Sequence, residues 1–350
     1  MSIFINNATQ ITNQQPLTDE WMTQPAWPQN VHTRFNKPDF KQFISPANAR
    51  RMGTLLKCAL SSAISCMETA QKPALDGILT GTGLGCIGST EIFLNALLNE
   101  GEESLSPTSF MLSTHNTISS QIAIALKCHN YNITYSHRGI SFDSALFDAV
   151  VKFQLGQFAN ALVIGADEMT EAYFQLFDQT GKWKKELPAT EKFFTNGTKG
   201  TIAGENCVTF LLSDKKNDNT LCELIDTQIT YKPTDERFIQ MYRSLLIKGC
   251  IENVDGIILG KNGDVNNDKE YNRIVQLIAP ETPVFNYKHL FGESFTSSSI
   301  ALYVGAKCLK EQYVPAHLTA DEQRIEQPKT LLLINHFNQL DYSFTLLKSC

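Results

Sequence analysis

The amino-acid sequence predicts an α/β protein of two similar halves, each a parallel sheet buried between helical layers. Two observations carry that prediction. Short apolar runs alternate with segments whose apolar residues fall three and four apart, the pattern of strands alternating with helices. The order of strand, glycine turn and helix then recurs about 180 residues further on, as an internal duplication would make it.

Taken in chain order, Ser45-Pro46 supplies a cap and a first-turn proline. Met52, Leu55, Leu56, Ala59, Leu60, Ala63, Ile64 and Met67 follow at helical spacing, so one long amphipathic helix is expected, ending before Pro73. Leu75–Thr80 reads as a short buried strand, Gly81–Gly85 as a glycine turn, and 89–99 as a second helix. In the second half a helix at about 236–250 precedes Val254–Gly263, and both copies read apolar-Asp-Gly-Ile-apolar-x-Gly. A second echo pairs Thr117–Ala123 with Ser297–Ala301, each opening an apolar helix that ends in Lys-Cys; a third pairs the strands Ala161–Gly165 and Leu331–Asn335, which are expected to close each half. The polar stretch Asp214–Thr220 is the expected seam, giving halves of residues 1–215 and 216–350, with an aromatic and polar insertion at about 171–200 that reads as a surface excursion or as a lid over a site.

With 30 basic and 36 acidic residues the net charge is -6, and the 42% of apolar residues suit a folded core, not a disordered chain. The acidic balance argues against nucleic acid or an anionic membrane as partner. The one short basic run, Lys182-Trp183-Lys184-Lys185, reads as a solvated loop. Nine cysteines without a C-x-x-C pair give no zinc spacing, so no metal and no cofactor are expected. No signal-type leader opens the chain and no run of about 18 apolar residues interrupts it, which predicts a soluble, cytoplasmic protein without membrane insertion.

Two segments could carry chemistry. Gly83-x-Gly85-x-x-Gly88 satisfies the dinucleotide spacing, but Glu102 and Glu103 sit in a polar loop and not at the end of a following strand, so a turn for close backbone packing is the preferred reading. The stretch Asn132–Ser144 reads as strand, sharp turn and helix start. Acyl-transfer enzymes place a nucleophile at such an elbow, where helix-terminal amides stabilise a thiolate or oxyanion. Here the turn residue is Gly139, which cannot attack anything.

Several ordered segments together give the chain a resemblance to the β-ketoacyl synthases of the thiolase superfamily. They are Gly81-Thr82-Gly83-Leu84-Gly85, Leu105-Ser106-Pro107 with Phe110, Ser113 and Asn116, the 132–156 elbow, Gly200-x-x-x-Gly204-Glu205, the 254–270 strand and turn, Lys288–Glu293, and Asn335-His336-Phe337-Asn338. The resemblance implies a thiolase-like fold: two pseudo-twofold-related halves in α-β-α-β-α layers. Condensing members of that family use a cysteine and two histidines. Carried onto this chain, the cysteine falls on Gly139, the first histidine on Gly260 (or Leu259, if Glu270 is the anchor) and the second on Glu293, with Lys288 retained. No catalytic residue is therefore expected. Pocket candidates are His137, Ser141, Lys288, Glu293 and Phe337, the last matching an aromatic residue that gates the acyl pocket in related synthases; Glu205 and Lys288 are expected to form a structural charge pair.

What the resemblance then implies is a chain-length-factor-like subunit. It would pair with an active ketosynthase, or with itself, along the strand near 130–135, and would meet acyl chains on acyl carrier protein in fatty-acid, polyketide or aryl-polyene synthesis. The alternatives are an acyltransferase, decarboxylase or hydrolase using His137, Ser141 or Glu293, and a homodimeric acyl-binding protein.

Overall fold

The computed structural model describes residues 2–101, 105–189, 193–195, 197–319 and 324–350. Glu102 and Glu103 lie outside the described residues. The first half runs β1 (Phe4–Ile11), α1 (Pro46–Ala49), α2 (Thr54–Thr69), β2 (Gly77–Gly81), α3 (Ile87–Glu100), α4 (Pro107–Ser113), α5 (Thr117–Leu126), β3 (Tyr131–Tyr135), α6 (Ser141–Gln154), β4 (Asn160–Asp167), α7 (Glu171–Gln179) and β5 (Asn206–Ser213). The second runs β6 (Cys222–Tyr231), α8 (Asp235–Gly249), β7 (Gly256–Leu259), α9 (Val265–Ile278), β8 (Val284–Asn286), α10 (Lys288–Phe291), α11 (Ser298–Glu311), β9 (Tyr313–Val314), β10 (Ile325–Glu326), β11 (Thr330–Phe337) and β12 (Asp341–Lys348).

Ten strands are ordered β3-β2-β4-β5-β1-β6-β12-β11-β7-β8. Cut between β1 and β6, which pair over only Phe4↔Glu223 and Ile5↔Cys222, the list becomes two five-stranded sheets of the same order, and a pseudo-twofold relates them. β2, β7, β4 and β11 take the places that their sequence echoes predict. The sheets are mixed and not purely parallel: β5 runs antiparallel to β4 and β1, and β12 to β11 and β6. For the same reason 161–165 and 331–335 do not close the halves; an antiparallel strand follows each.

Alternation along the strands sets the layers. Ile78, Leu162 and Ile164 face outward against Leu56, Ala59 and Ala63 of α2 and Ile118 and Ile122 of α5. Leu79, Ala161 and Val163 face inward, with Ile258, Leu331 and Leu333 of the other sheet, onto Phe142, Leu146, Val150 and Phe153 of α6 and Ile300, Leu302 and Val304 of α11. Ile257, Leu259, Leu332 and Ile334 pack outward on Phe238, Met241 and Leu245 of α8 and Tyr271 and Ile274 of α9. The result is the five-layer α-β-α-β-α order. Each wholly buried leucine, isoleucine or phenylalanine in those clusters stabilises the fold by roughly 1.5–3 kcal/mol before entropy is subtracted.

Three local expectations are corrected. Ser45 accepts the Asn48 amide and Pro46 opens the turn, but that helix stops at Ala49, and α2 begins afresh after Gly53, whose extended backbone (φ -65°, ψ 170°) interrupts the spiral. The second echo is mispaired. Topology equates α11 with α6, the helix between the third and fourth strands of its sheet, whereas α5 answers to α9. Finally, α11 does not end at Lys307-Cys308 but continues to Glu311.

Among the described residues β3 is bonded on one side only, to β2, and ends the sheet. Of the neighbouring helices α5 packs on β3, α4 on α5 and α3 on α4, and these helices carry exposed apolar side chains, among them Leu98 (81%), Ile124 (69%) and Met111 (68%). No helix among the described residues is long and apolar enough to cross a membrane.

Candidate functional site

The elbow forms where β3 leaves the sheet and α6 begins. Arg138 takes a left-handed conformation (φ 49°), at a cost on the order of 1 kcal/mol, which folds the chain back within three residues. Ser141 locks the turn: its hydroxyl donates to the Arg138 carbonyl at 2.7 Å and accepts from the His137 amide at 2.7 Å. Ser141 is thus buried, with its hydroxyl engaged by the turn itself. His137 is exposed on the turn, and its backbone amide donates to Ser141.

Gly139 is buried, and the place a side chain would need there is taken. A Cβ built on it would overlap the Phe337 ring, lying 2.6 Å from Cγ and 2.9 Å from Cβ. The Gly139 carbonyl accepts from the Asn335 amide at 3.3 Å, tying the end of β11 to the elbow. Gly260 is filled in the same way: a Cβ would overlap the Tyr271 hydroxyl and lie 3.1 Å from Asn335 Oδ1. That hydroxyl receives the His336 amide at 3.0 Å, and the His336 ring stacks on Tyr271 at 4.2 Å. Burial holds the His336 imidazole down at about 4, so it is neutral near pH 7.

Glu293 follows Gly292, whose φ of 77° suits glycine. Its carboxylate accepts from Lys288 Nζ at 2.9 and 3.0 Å, Asn262 Nδ2 at 2.8 Å and the Ser297 hydroxyl at 3.1 Å. Burial by itself pushes such a carboxyl up, but the charges of Lys288 and Lys182, with these hydrogen bonds, outweigh it and hold Glu293 below its ordinary value. Glu293 is therefore an ionised, saturated carboxylate, with no lone pair spared for general-base work. Lys288 does not pair with Glu205 as expected. Glu205 instead accepts the amides of Phe35 (2.8 Å) and Met169 (3.0 Å), one on each carboxylate oxygen.

Of the five pocket candidates, then, Lys288, Glu293 and Phe337 come together and His137 and Ser141 do not. The space left between Phe337, Glu293, Phe295, Phe177 and Lys182 is about 10 Å³, room for roughly one water and not for a thioester. Sequence reasoning missed Tyr271 and Lys182. The run Lys182–Lys185 is not a solvated loop: Lys184 is buried, donating to Thr198 Oγ1 (2.7 Å) and the Gly263 carbonyl (2.8 Å), and Lys182 is half-buried among rings. Trp183 inside the run was the available signal, since tryptophan in a basic stretch marks a side that packs.

No cysteine substitutes at the elbow. Cys86 is the nearest in sequence to the glycine loop, but burial pushes its thiol up to about 12, far from a thiolate at neutral pH. The glycine-loop amides are also spoken for: Asp167 accepts from Gly83 and Leu84 N, both at 2.9 Å, and Glu168 from Gly88 N at 3.1 Å, so the fingerprint's donors face carboxylates of this chain and not a pyrophosphate. Beyond Met169 opens a cleft of about 480 Å³, lined by Arg34, Lys37, Arg50 and Arg51 and also by Glu168, Glu171 and Glu205.

A five-layer α-β-α-β-α fold with its elbow at the start of an inner helix defines a class before any comparison is made. The family described as β-ketoacyl synthase, N-terminal domain, matches residues 19–219, and the chain belongs to it. No curated protein matches it significantly. Among solved structures it is similar to the ishigamide ketosynthase/chain length factor (TM-score 0.83, 14% identity, covering 100% of this chain and 99% of that one). It is also similar to a β-ketoacyl synthase from Burkholderia phymatum STM815 (0.79, 13%, 100% and 99%). A third is a type II polyketide synthase acyl-carrier protein in complex with its ketosynthase bound to the hexaketide, AntDE:AntF (0.80, 12%, 100% and 99%). At these identities the likeness concerns the fold.

Proposed function

We propose that this chain is a non-catalytic β-ketoacyl synthase-like subunit, comparable to a chain-length factor, that pairs with an active ketosynthase and works on acyl chains delivered by acyl carrier protein. The observation that carries the reading is the filled site. At Gly139, Gly260 and Glu293, where the family's cysteine and histidines would fall, Phe337, Tyr271 and Lys288 occupy or neutralise the space. Without a thiolate no acyl-enzyme forms at the elbow, and without imidazoles no donor meets the enolate oxygen of a decarboxylating thioester.

Two surfaces support the partners. The edge of β3, with α5 packed on it and the exposed Ile124 on that helix, suits strand addition by a second ketosynthase-fold subunit. The cleft beside Met169 sets Arg34, Lys37, Arg50 and Arg51 against Glu168, Glu171 and Glu205; Arg34 pairs with Glu171 at 2.6 Å, and Lys37, Arg50 and Arg51 suit an acidic carrier with a phosphate-bearing arm. Pathway and product, whether fatty acid, polyketide or aryl polyene, follow from the partner.

The test is incubation of the purified chain with acyl and malonyl carrier protein, alone and with the ketosynthase it co-purifies with. Expected are no covalent acyl adduct and no decarboxylation alone, and turnover that requires both subunits. Turnover by the chain alone overturns the reading.

A further inference from the structure

A cation ringed by aromatic side chains stands over the filled elbow. Lys182 Nζ lies 5.7 Å from the Phe177 ring centroid, 5.8 Å from those of Phe295 and Phe337, and 6.0 Å from that of Trp183. The rings converge from separate parts of the chain: Phe177 from α7, Trp183 from the segment after it, Phe295 from the turn before α11 and Phe337 from the end of β11. They brace one another, Phe177 against Trp183 at 5.9 Å and 81° and Phe295 against Phe337 at 5.8 Å. Ring faces attract a cation through their quadrupoles, more strongly where water is excluded.

Glu293 adds negative charge, but its direct ion pair is with Lys288 at 2.9 Å, so Lys182 is held by the rings and by longer-range attraction. Burial, followed by the charge of Lys288, pushes the Lys182 amine below its ordinary value against the pull of Glu293.

We propose that these four rings and Glu293 form a binding site for an alkylammonium group, that Lys182 is its resting occupant, and that an external amine takes the same place once that side chain is withdrawn. The ligand class follows from the chemistry of the walls: a compact cation on an apolar stem. The site adjoins the elbow but is independent of the pairing proposed above, and a failed co-purification would leave the following titration untouched.

The experiment titrates Lys182→Ala with n-propylammonium chloride at constant ionic strength, read by tryptophan fluorescence, since Trp183 is a cage wall. Expected is a saturable change with a midpoint of about 1–10 mM. It is absent from the wild type and from Lys182→Met, whose thioether refills the space, and about tenfold weaker with 1-propanol, in keeping with a cation–π contribution of roughly 1–2 kcal/mol. No saturable response in Lys182→Ala, or an equal response to propanol, overturns the proposal. Amine labelling of the wild type with mass spectrometry needs no variant: Lys182 is expected to react about tenfold more slowly than Lys185, whose side chain is 75% exposed. Equal rates at the two lysines also overturn it.

Discussion

Phe337 stands where a side chain on residue 139 would have to stand, its Cγ 2.6 Å from the position of a Cβ built on Gly139. The ring from β11 fills the space over the turn, so any side chain placed on residue 139 competes with it for one volume.

Gly139→Cys is expected to destabilise by about 1–3 kcal/mol through overpacking. In combination with Phe337→Ala the cost should fall below the sum of the two single changes by at least about 0.5 kcal/mol, because the two side chains compete for one volume. Urea unfolding of the three variants measures this, and strict additivity would show that the ring moves aside freely.

The ion pair between Lys288 and Glu293 is buried, so the cost of breaking it depends on what remains. Lys288→Met strands a carboxylate and should cost about 3–5 kcal/mol, towards the lower figure because the charge of Lys182 stays nearby. Adding Glu293→Gln removes the stranded charge and should recover a large part of the loss. A double variant no more stable than Lys288→Met would mean that the carboxylate was not the source of the penalty.

Tyr271 fills the space over Gly260 with its hydroxyl and receives the His336 amide there. Tyr271→Phe should cost about 1–3 kcal/mol by leaving that amide unpaired in the core. Gly260→Ala, which collides with the hydroxyl, should be tolerated better in the Tyr271→Phe variant than in the wild type. The midpoint of thermal unfolding reports both.

Acid sensitivity should trace in part to His289. Its imidazole is buried against Trp27 and Phe194, donates to the His317 carbonyl at 2.9 Å, and is pushed down to about 4 by burial. In the unfolded chain it titrates near 6.5. Between those values the unfolded chain binds a proton that the folded one refuses, so this stability is full above about pH 6.5 and is lost as the pH falls towards 4. His289→Phe should therefore lose less stability between pH 7 and pH 5 than the wild type does, by urea midpoints; parallel pH profiles would place the acid sensitivity elsewhere.

How much of this was legible beforehand can be judged residue by residue. Gly139 could be seen as an empty elbow because an apolar strand, a turn and a helical period are local patterns. The echo of Leu75–Gly81 in Val254–Gly260 found β2 and β7 for the same reason. The echo of Thr117–Ala123 in Ser297–Ala301 misled, since two serine-rich helix starts look alike while only strand order reveals that α11 answers to α6. Lys182 was misread because a basic run is solvated by default, and nothing local tells a lysine that rings from α7, β11 and the turn before α11 will surround it.

The sequence by itself determined the alternation of elements and the repeated strand-turn-helix frame, because each of these is written within a few turns of chain. Only tertiary structure decided what fills the space over these residues: Phe337 reaches Gly139, and Lys182 the neighbourhood of Glu293, from segments remote in the chain, while Tyr271 turns back from α9 onto Gly260. Which side chain meets which across such separations is set by strand order and layer packing, and those are properties of the folded whole.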